Sequence, residues 1–176
     1  MCATVAFLSA CGGSDTGKHA TSTCKPLTSS GTVTSTTKPT ETALLTNVTV
    51  ESNTCDDRVV FAFKPAAGGV PGYRVSYLAA DKALVEDGSG APVEVKGTNY
   101  LVVRFEPAAT ADISGDELVR TYTGPRRITA PEDAHALREI VKSGDFEAVL
   151  TWVIGLESRR AFGVKVSGSR VVVEIS

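Results

Sequence analysis

Val59, Phe61 and Phe63 alternate with Arg58, Val60 and Ala62, and Val171, Val173 and Ile175 alternate with Arg170, Val172 and Glu174. A period of two puts each apolar trio on one face of a strand, with its neighbours on the other. A chain patterned in this way folds as sheets that each turn one face to a core. From Leu44 onward, short runs rich in Val, Tyr and Phe are punctuated by Gly and Pro, which predicts an antiparallel all-β domain. The candidate strands are 45–51, 58–64, 73–79, 93–96, 100–106, 148–155, 162–166 and 170–175. Ser167-Gly168-Ser169 reads as a tight hairpin turn, and Asp87-Gly88-Ser89-Gly90 as a mobile loop.

One stretch departs from this texture. Thr129-Ala130-Pro131-Glu132 has the spacing of a capping box with proline in the first turn, and Ala134, Leu137, Ile140 and Val141 follow at helical spacing up to Ser143-Gly144. The pattern predicts a helix over about 131–143, packed on a sheet or closing one end of the fold.

Residues 12–43 are of another kind, nearly half Ser and Thr with scattered Lys and Pro. Such a stretch has too little apolar surface to offset its ordering entropy, and it reads as a disordered tether ahead of a domain at 44–176. Before it lies a short apolar run, Ala3 to Leu8, ending in Leu8-Ser9-Ala10-Cys11. Such a run followed by small residues is the end of a secretory signal, normally opened by a basic segment that Met1 and Cys2 do not supply. Residues 1–11 therefore read as a truncated signal with residues missing upstream, or else as a frayed apolar end.

Leu8-Ser9-Ala10-Cys11 resembles the lipobox of bacterial lipoproteins, which implies lipidation at Cys11. Two or more acyl chains suffice for stable anchoring, at about 0.8 kcal/mol per buried methylene. Cys24 and Cys55 remain for an exported chain and are a possible disulfide. The spacings of zinc sites are absent, and no metal or cofactor is expected.

A net charge of −2 argues against nucleic acid as a partner. No run approaches the roughly 18 apolar residues of a membrane span, so contact with a membrane is expected through a lipid only. Catalysis finds little material. No Gly-x-Ser-x-Gly, Ser-x-x-Lys, His-Glu-x-x-His or phosphate loop occurs, and His19 falls in the tether, leaving His135 to the domain. Asp56-Asp57 and Asp116-Glu117 read as solvated turns, and the chain as no enzyme. The densest polar cluster is Tyr122-Thr123-Gly124-Pro125-Arg126-Arg127. Arg126 and Arg127 of this cluster, with Tyr122 beside them, Arg104 on a neighbouring strand and Tyr73, Tyr77 or Trp152 as stacking faces, would suit an anionic glycan or peptide. The competing reading pairs an arginine with an internal carboxylate and puts the rings in the core.

Six stretches carry a family resemblance: Asp57-Arg58-Val59-Val60-Phe61, Gly72-Tyr73-Arg74-Val75, Tyr122 to Arg127, Gly144-Asp145-Phe146-Glu147, Leu150-Thr151-Trp152-Val153 and Arg170 to Ile175. In this order they resemble the AMIN-like domain of Gram-positive envelope lipoproteins. The resemblance implies an antiparallel β-sandwich, here with one short helix, and a relative of the AMIN domain that targets proteins to envelope sites and binds peptidoglycan. The function it implies is a non-catalytic, lipid-anchored module on the outer face of the cell membrane, binding peptidoglycan or an envelope protein partner. The alternative is a carrier or sensor of a small apolar or lipidic ligand within the sandwich.

Overall fold

The computed structural model describes residues 24–37, 39–66 and 69–176. Cys2, Cys11 and the run before it, His19 and the first part of the Ser/Thr-rich stretch lie outside the described residues. The strands are β1 (Val33–Thr34), β2 (Ala43–Ser52), β3 (Asp57–Phe63), β4 (Gly72–Tyr77), β5 (Asn99–Glu106), β6 (Ala108–Ala109), β7 (Ala111–Asp112), β8 (Val119–Arg120), β9 (Arg127–Thr129), β10 (Leu137–Phe146), β11 (Val149–Leu156), β12 (Phe162–Ser167) and β13 (Arg170–Ile175). A large sheet has the order β1-β4-β5-β11-β10-β9, and a small one the order β12-β13-β3-β2-β6, while β7 and β8 form a separate ribbon. Pairing is antiparallel except between β2 and β6.

The period-two trios do face a core. Val59, Phe61 and Phe63 of the small sheet share one buried cluster with Leu101, Val103, Phe105, Trp152 and Ile154 of the large one. The Phe61 ring meets Phe105 edge to face at 4.9 Å and Trp152 at 5.9 Å, so the two sheets pack face to face through aromatic rings. Each fully buried side chain of this size contributes roughly 1.5–3 kcal/mol.

The expected helix at 131–143 is absent: its second half is the start of β10. Bulges between Leu137 and Glu139 and between Lys142 and Gly144 shift the register of β10 against β11. A bulge inserts one residue, so Leu137 and Ile140, three apart, both reach the main core. That spacing imitates a helix face. Thr129 and Pro131 cap nothing, and Glu132 is exposed in a turn.

The Ser/Thr-rich stretch, read as a tether up to Ala43, is part of the fold wherever it is described. A disulfide joins Cys24 to Cys55 in the β2–β3 turn. The Ser29 carbonyl accepts the Phe162 N–H at 2.8 Å on the open edge of β12. Val33 and Thr34 then pair with Val75 and Arg74 at the far edge of the large sheet. This strap therefore crosses from the small sheet to the large one, held by backbone bonds that its polar composition does not reveal and by the crosslink expected between Cys24 and Cys55. Opening a loop of 31 residues is expected to cost about 3–4 kcal/mol in the chain-entropy account. A Cys24→Ser variant should show this as a lower urea midpoint than the oxidised parent, and equality with the parent would mean that the strap adds nothing to stability.

Candidate binding surface

The loop between β4 and β5 lies against the outer face of β10 and β11, and the two tandem arginines hold it there. The Asp87 N–H donates to the Ser143 carbonyl at 3.0 Å, and the Thr151 hydroxyl donates to the Asp87 carboxylate. Gly144 and Gly155 make room for this cover. A Cβ on Gly155 would overlap the Lys96 carbonyl oxygen, and one on Gly144 would overlap the Asp87 carboxylate. Residues 93–96, expected as a strand, are the inner limb of the loop, with Val93 buried and Val95 against Gly155. Asp87-Gly88-Ser89-Gly90 is a hydrogen-bonded turn, closed by Gly90 N–H to the Glu86 carbonyl at 3.0 Å.

Arg126 donates from Nε to the Lys142 carbonyl at 2.9 Å and pairs with Glu86. The Ser89 hydroxyl and Arg126 together hold the Glu86 carboxyl below its ordinary value. Arg127, on the edge strand β9, donates to the Glu94 carbonyl at 2.8 Å and to Glu139, whose side chain is only 1% exposed. Lys96 N–H adds a bond of 3.0 Å to the same Glu139 oxygen, while the other oxygen has no partner. Both guanidinium groups are thus spent inside the fold.

Tyr122 and Trp152 do not form a stacking face. Trp152 is fully buried, and Tyr122 packs edge-on against it at 5.7 Å with its hydroxyl donating to the Pro125 carbonyl at 2.8 Å. Burial pushes the Tyr122 phenol above its ordinary value. Both rings belong to the core that Gly124-Pro125 folds over.

Arg104 and Tyr73 lie elsewhere, in a groove of about 430 Å³ on the outer side of β4 and β5 walled by Thr34, Ser35, Thr37 and Pro39 of the strap. Arg104 is exposed on β5, and its register partner on β4 is Arg74. The Ser35 hydroxyl accepts the Tyr73 N–H at 3.0 Å, pinning the wall to the floor. These six expected residues therefore fall into three places: Arg126 and Arg127 over the loop, Tyr122 and Trp152 in the core, Arg104 and Tyr73 in the groove. Arg74 was not among them. Its signal lies in the pattern, because 73–79 and 100–106 each carry one arginine among their outward positions, and pairing sets the two side by side.

The acidic residues and His135 are structural or exposed. Asp57 is fully buried and accepts N–H bonds from His135, Ala136 and Leu137 at 2.8–2.9 Å and a hydroxyl bond from Ser52 at 2.7 Å. Burial raises its pKa, but these donors outweigh burial and leave the carboxyl below its ordinary value. Asp56 meets Arg58 at 2.8 Å and the Asn53 amide at 2.6 Å. His135 is exposed, with Nε2 at 2.6 Å from the Asn53 carbonyl, and Asp116 and Glu117 are exposed in the β7–β8 loop.

A search of curated proteins and one of solved structures each found no match. The family model of the AMIN-like domain matches residues 43–176, which takes in both sheets from β2 onward together with the floor of the groove, and the chain accordingly belongs to the AMIN-like domain family.

Proposed function

We propose that the chain is a non-catalytic module of the cell envelope, held at the outer face of the membrane by a lipid on Cys11, that binds peptidoglycan or an envelope protein partner. Membership of the AMIN-like family supports an envelope-associated module. The observation that carries the reading is the disulfide between Cys24 and Cys55, a bond that persists on the oxidising side of a membrane and is rare in the cytosol. The same bond fixes how far the module stands from its anchor. Counting from Cys24 rather than from the domain's first long strand, 12 residues would lie between a lipid-bearing Cys11 and the fold, a reach of at most about 47 Å.

A ligand carried between the sheets has less support, since Phe61, Phe63, Phe105 and Trp152 fill that space. Binding therefore belongs to the outer surface. The test is to express the full locus in the native host, weigh the protein recovered from the membrane fraction, and incubate the purified domain with wall sacculi. A mass that begins at an acylated Cys11, and retention on sacculi above that of an unrelated β-sandwich, are the expected results. An unmodified protein in the soluble cytoplasmic fraction would overturn the anchor. Absence of retention would leave a protein partner as the ligand of the module.

A further inference from the structure

We propose that Arg74 and Arg104 form a binding site for a free carboxylate, with the groove between β4 and the strap receiving the residue that carries it. The inference rests on the wall-binding reading, and the carboxylate it names is that of a wall peptide.

The two arginines are direct partners in the antiparallel register of β4 and β5, in a row that runs Thr34, Arg74, Arg104, Thr151 across four strands. Opposite residues on one face have Cβ atoms about 4.5–5.5 Å apart, and like charges set there oppose folding. The fold does little to relieve them. Among the described residues Arg74 meets no acceptor, and Arg104 reaches only Glu106, at 3.3 Å between side chains 47% and 61% exposed. A pair so exposed holds weakly and yields readily to a better anion. Arg126, Arg127, Arg58 and Arg138 each have a carboxylate partner, while Arg74, like Arg120 and Arg170, has none among the described residues; what sets Arg74 apart is that a second arginine, Arg104, lies directly opposite it.

The surroundings fit a small planar anion on an extended backbone. Two guanidinium forks side by side match the two oxygens of a carboxylate; they would also suit a phosphate, so titration with glycerol phosphate is the competing measurement. Thr34 and Ser35 line one wall, Pro39 and Pro107 give apolar surface for a short aliphatic side chain, and Glu106, the weak partner of Arg104, lies in the same lining, while the Tyr73 ring packs toward the core beneath it. The groove, about 430 Å³, is within the size range of small-ligand sites. The strap builds one wall, so the crosslink at Cys24 bears on the site as well as on the fold.

The site is tested on the intact domain by following the Arg Nε–Hε resonances during titration with N-acetyl-alanyl-alanine and, separately, with its C-terminal amide. Arg74 and Arg104 should shift and saturate with the acid and stay still with the amide. Arg120 and Arg170, exposed and without partners among the described residues, serve as controls for non-specific pairing. Arg74→Ala should weaken the acid about tenfold, the loss of one charge-assisted bond, and leave the melting temperature unchanged or higher. No saturable shift, an equal response to the amide, or saturation by glycerol phosphate alone would overturn the proposal. Sacculi separate the two readings. If the double variant Arg74→Ala/Arg104→Ala is retained as well as the parent, the site falls and wall binding stands; if the parent is not retained while the acid saturates, the wall reading falls and the carboxylate site stands.

Discussion

Replacing Asp57 by alanine is expected to lower the unfolding free energy by about 3–5 kcal/mol, more than any substitution in the groove. Asp57 opens β3 in the small sheet, yet its acceptors serve the three consecutive N–H groups that lead into β10 of the large sheet. Removing the carboxylate strands the N–H groups of Ala136 and Leu137, both buried, while the His135 N–H and the Ser52 hydroxyl lie nearer the surface. The asparagine variant is little better, because its amide turns a donor toward donors. Folding stability for a domain of this size is only about 5–15 kcal/mol, so urea midpoints should show the change directly.

The same residue predicts a pH dependence. Its folded pKa lies below the ordinary 3.8, so the contribution is complete above 3.8 and disappears as the pH falls through the lower, folded value. The parent should therefore have a lower urea midpoint at about pH 3 than at about pH 6, and Asp57→Ala should flatten that difference. An unchanged slope in the variant would assign the acid sensitivity to other carboxylates.

Where the chain alternates regularly, its fold is legible. Residues 58–64 and 170–175 were expected as strands with one buried face, and they are β3 and β13 pairing at the middle of the small sheet. Asp57, the first residue of the first family stretch, does its work through a hydrogen-bond pattern that no spacing of residue types reveals. The error at 131–143 has a definite origin, since a bulge converts period two into steps of three and thereby erases the difference between strand and helix. The strap fails for the opposite reason. The described residues of 24–42 bury few side chains and are held largely by backbone bonds, which leave no mark on composition; only the crosslink of Cys24 to Cys55 was open to a count of cysteines. The candidate site was half legible: Arg104 and Tyr73 were expected and do line the groove, whereas Arg74 needed the register of β4 on β5 to be seen.

The tandem arginines give the sharpest contrast available in this chain, since neighbours of one residue type are expected to behave differently. Arg127→Ala leaves the carboxylate of Glu139, 1% exposed, with the Lys96 N–H as its remaining donor. A stranded buried charge costs about 3–5 kcal/mol; because the Arg127 side chain is 48% exposed and solvent already screens it, about 3 is the expected loss. Arg126 is 53% exposed against a Glu86 that is itself 28% exposed, a solvent-screened pair, and its removal should cost much less. A second change separates charge from packing. Adding Glu139→Gln to Arg127→Ala removes the stranded charge and should recover most of the loss, whereas a residue that mattered through its aliphatic stem would not be rescued. Urea midpoints of the four proteins decide this, and equal small effects of Arg126→Ala and Arg127→Ala would mean that Glu139 is content without its partner. Retention on sacculi should follow stability in this series and show no loss of its own, because both guanidinium groups face internal acceptors, unlike Arg74 and the weakly held Arg104 on the opposite half of the large sheet.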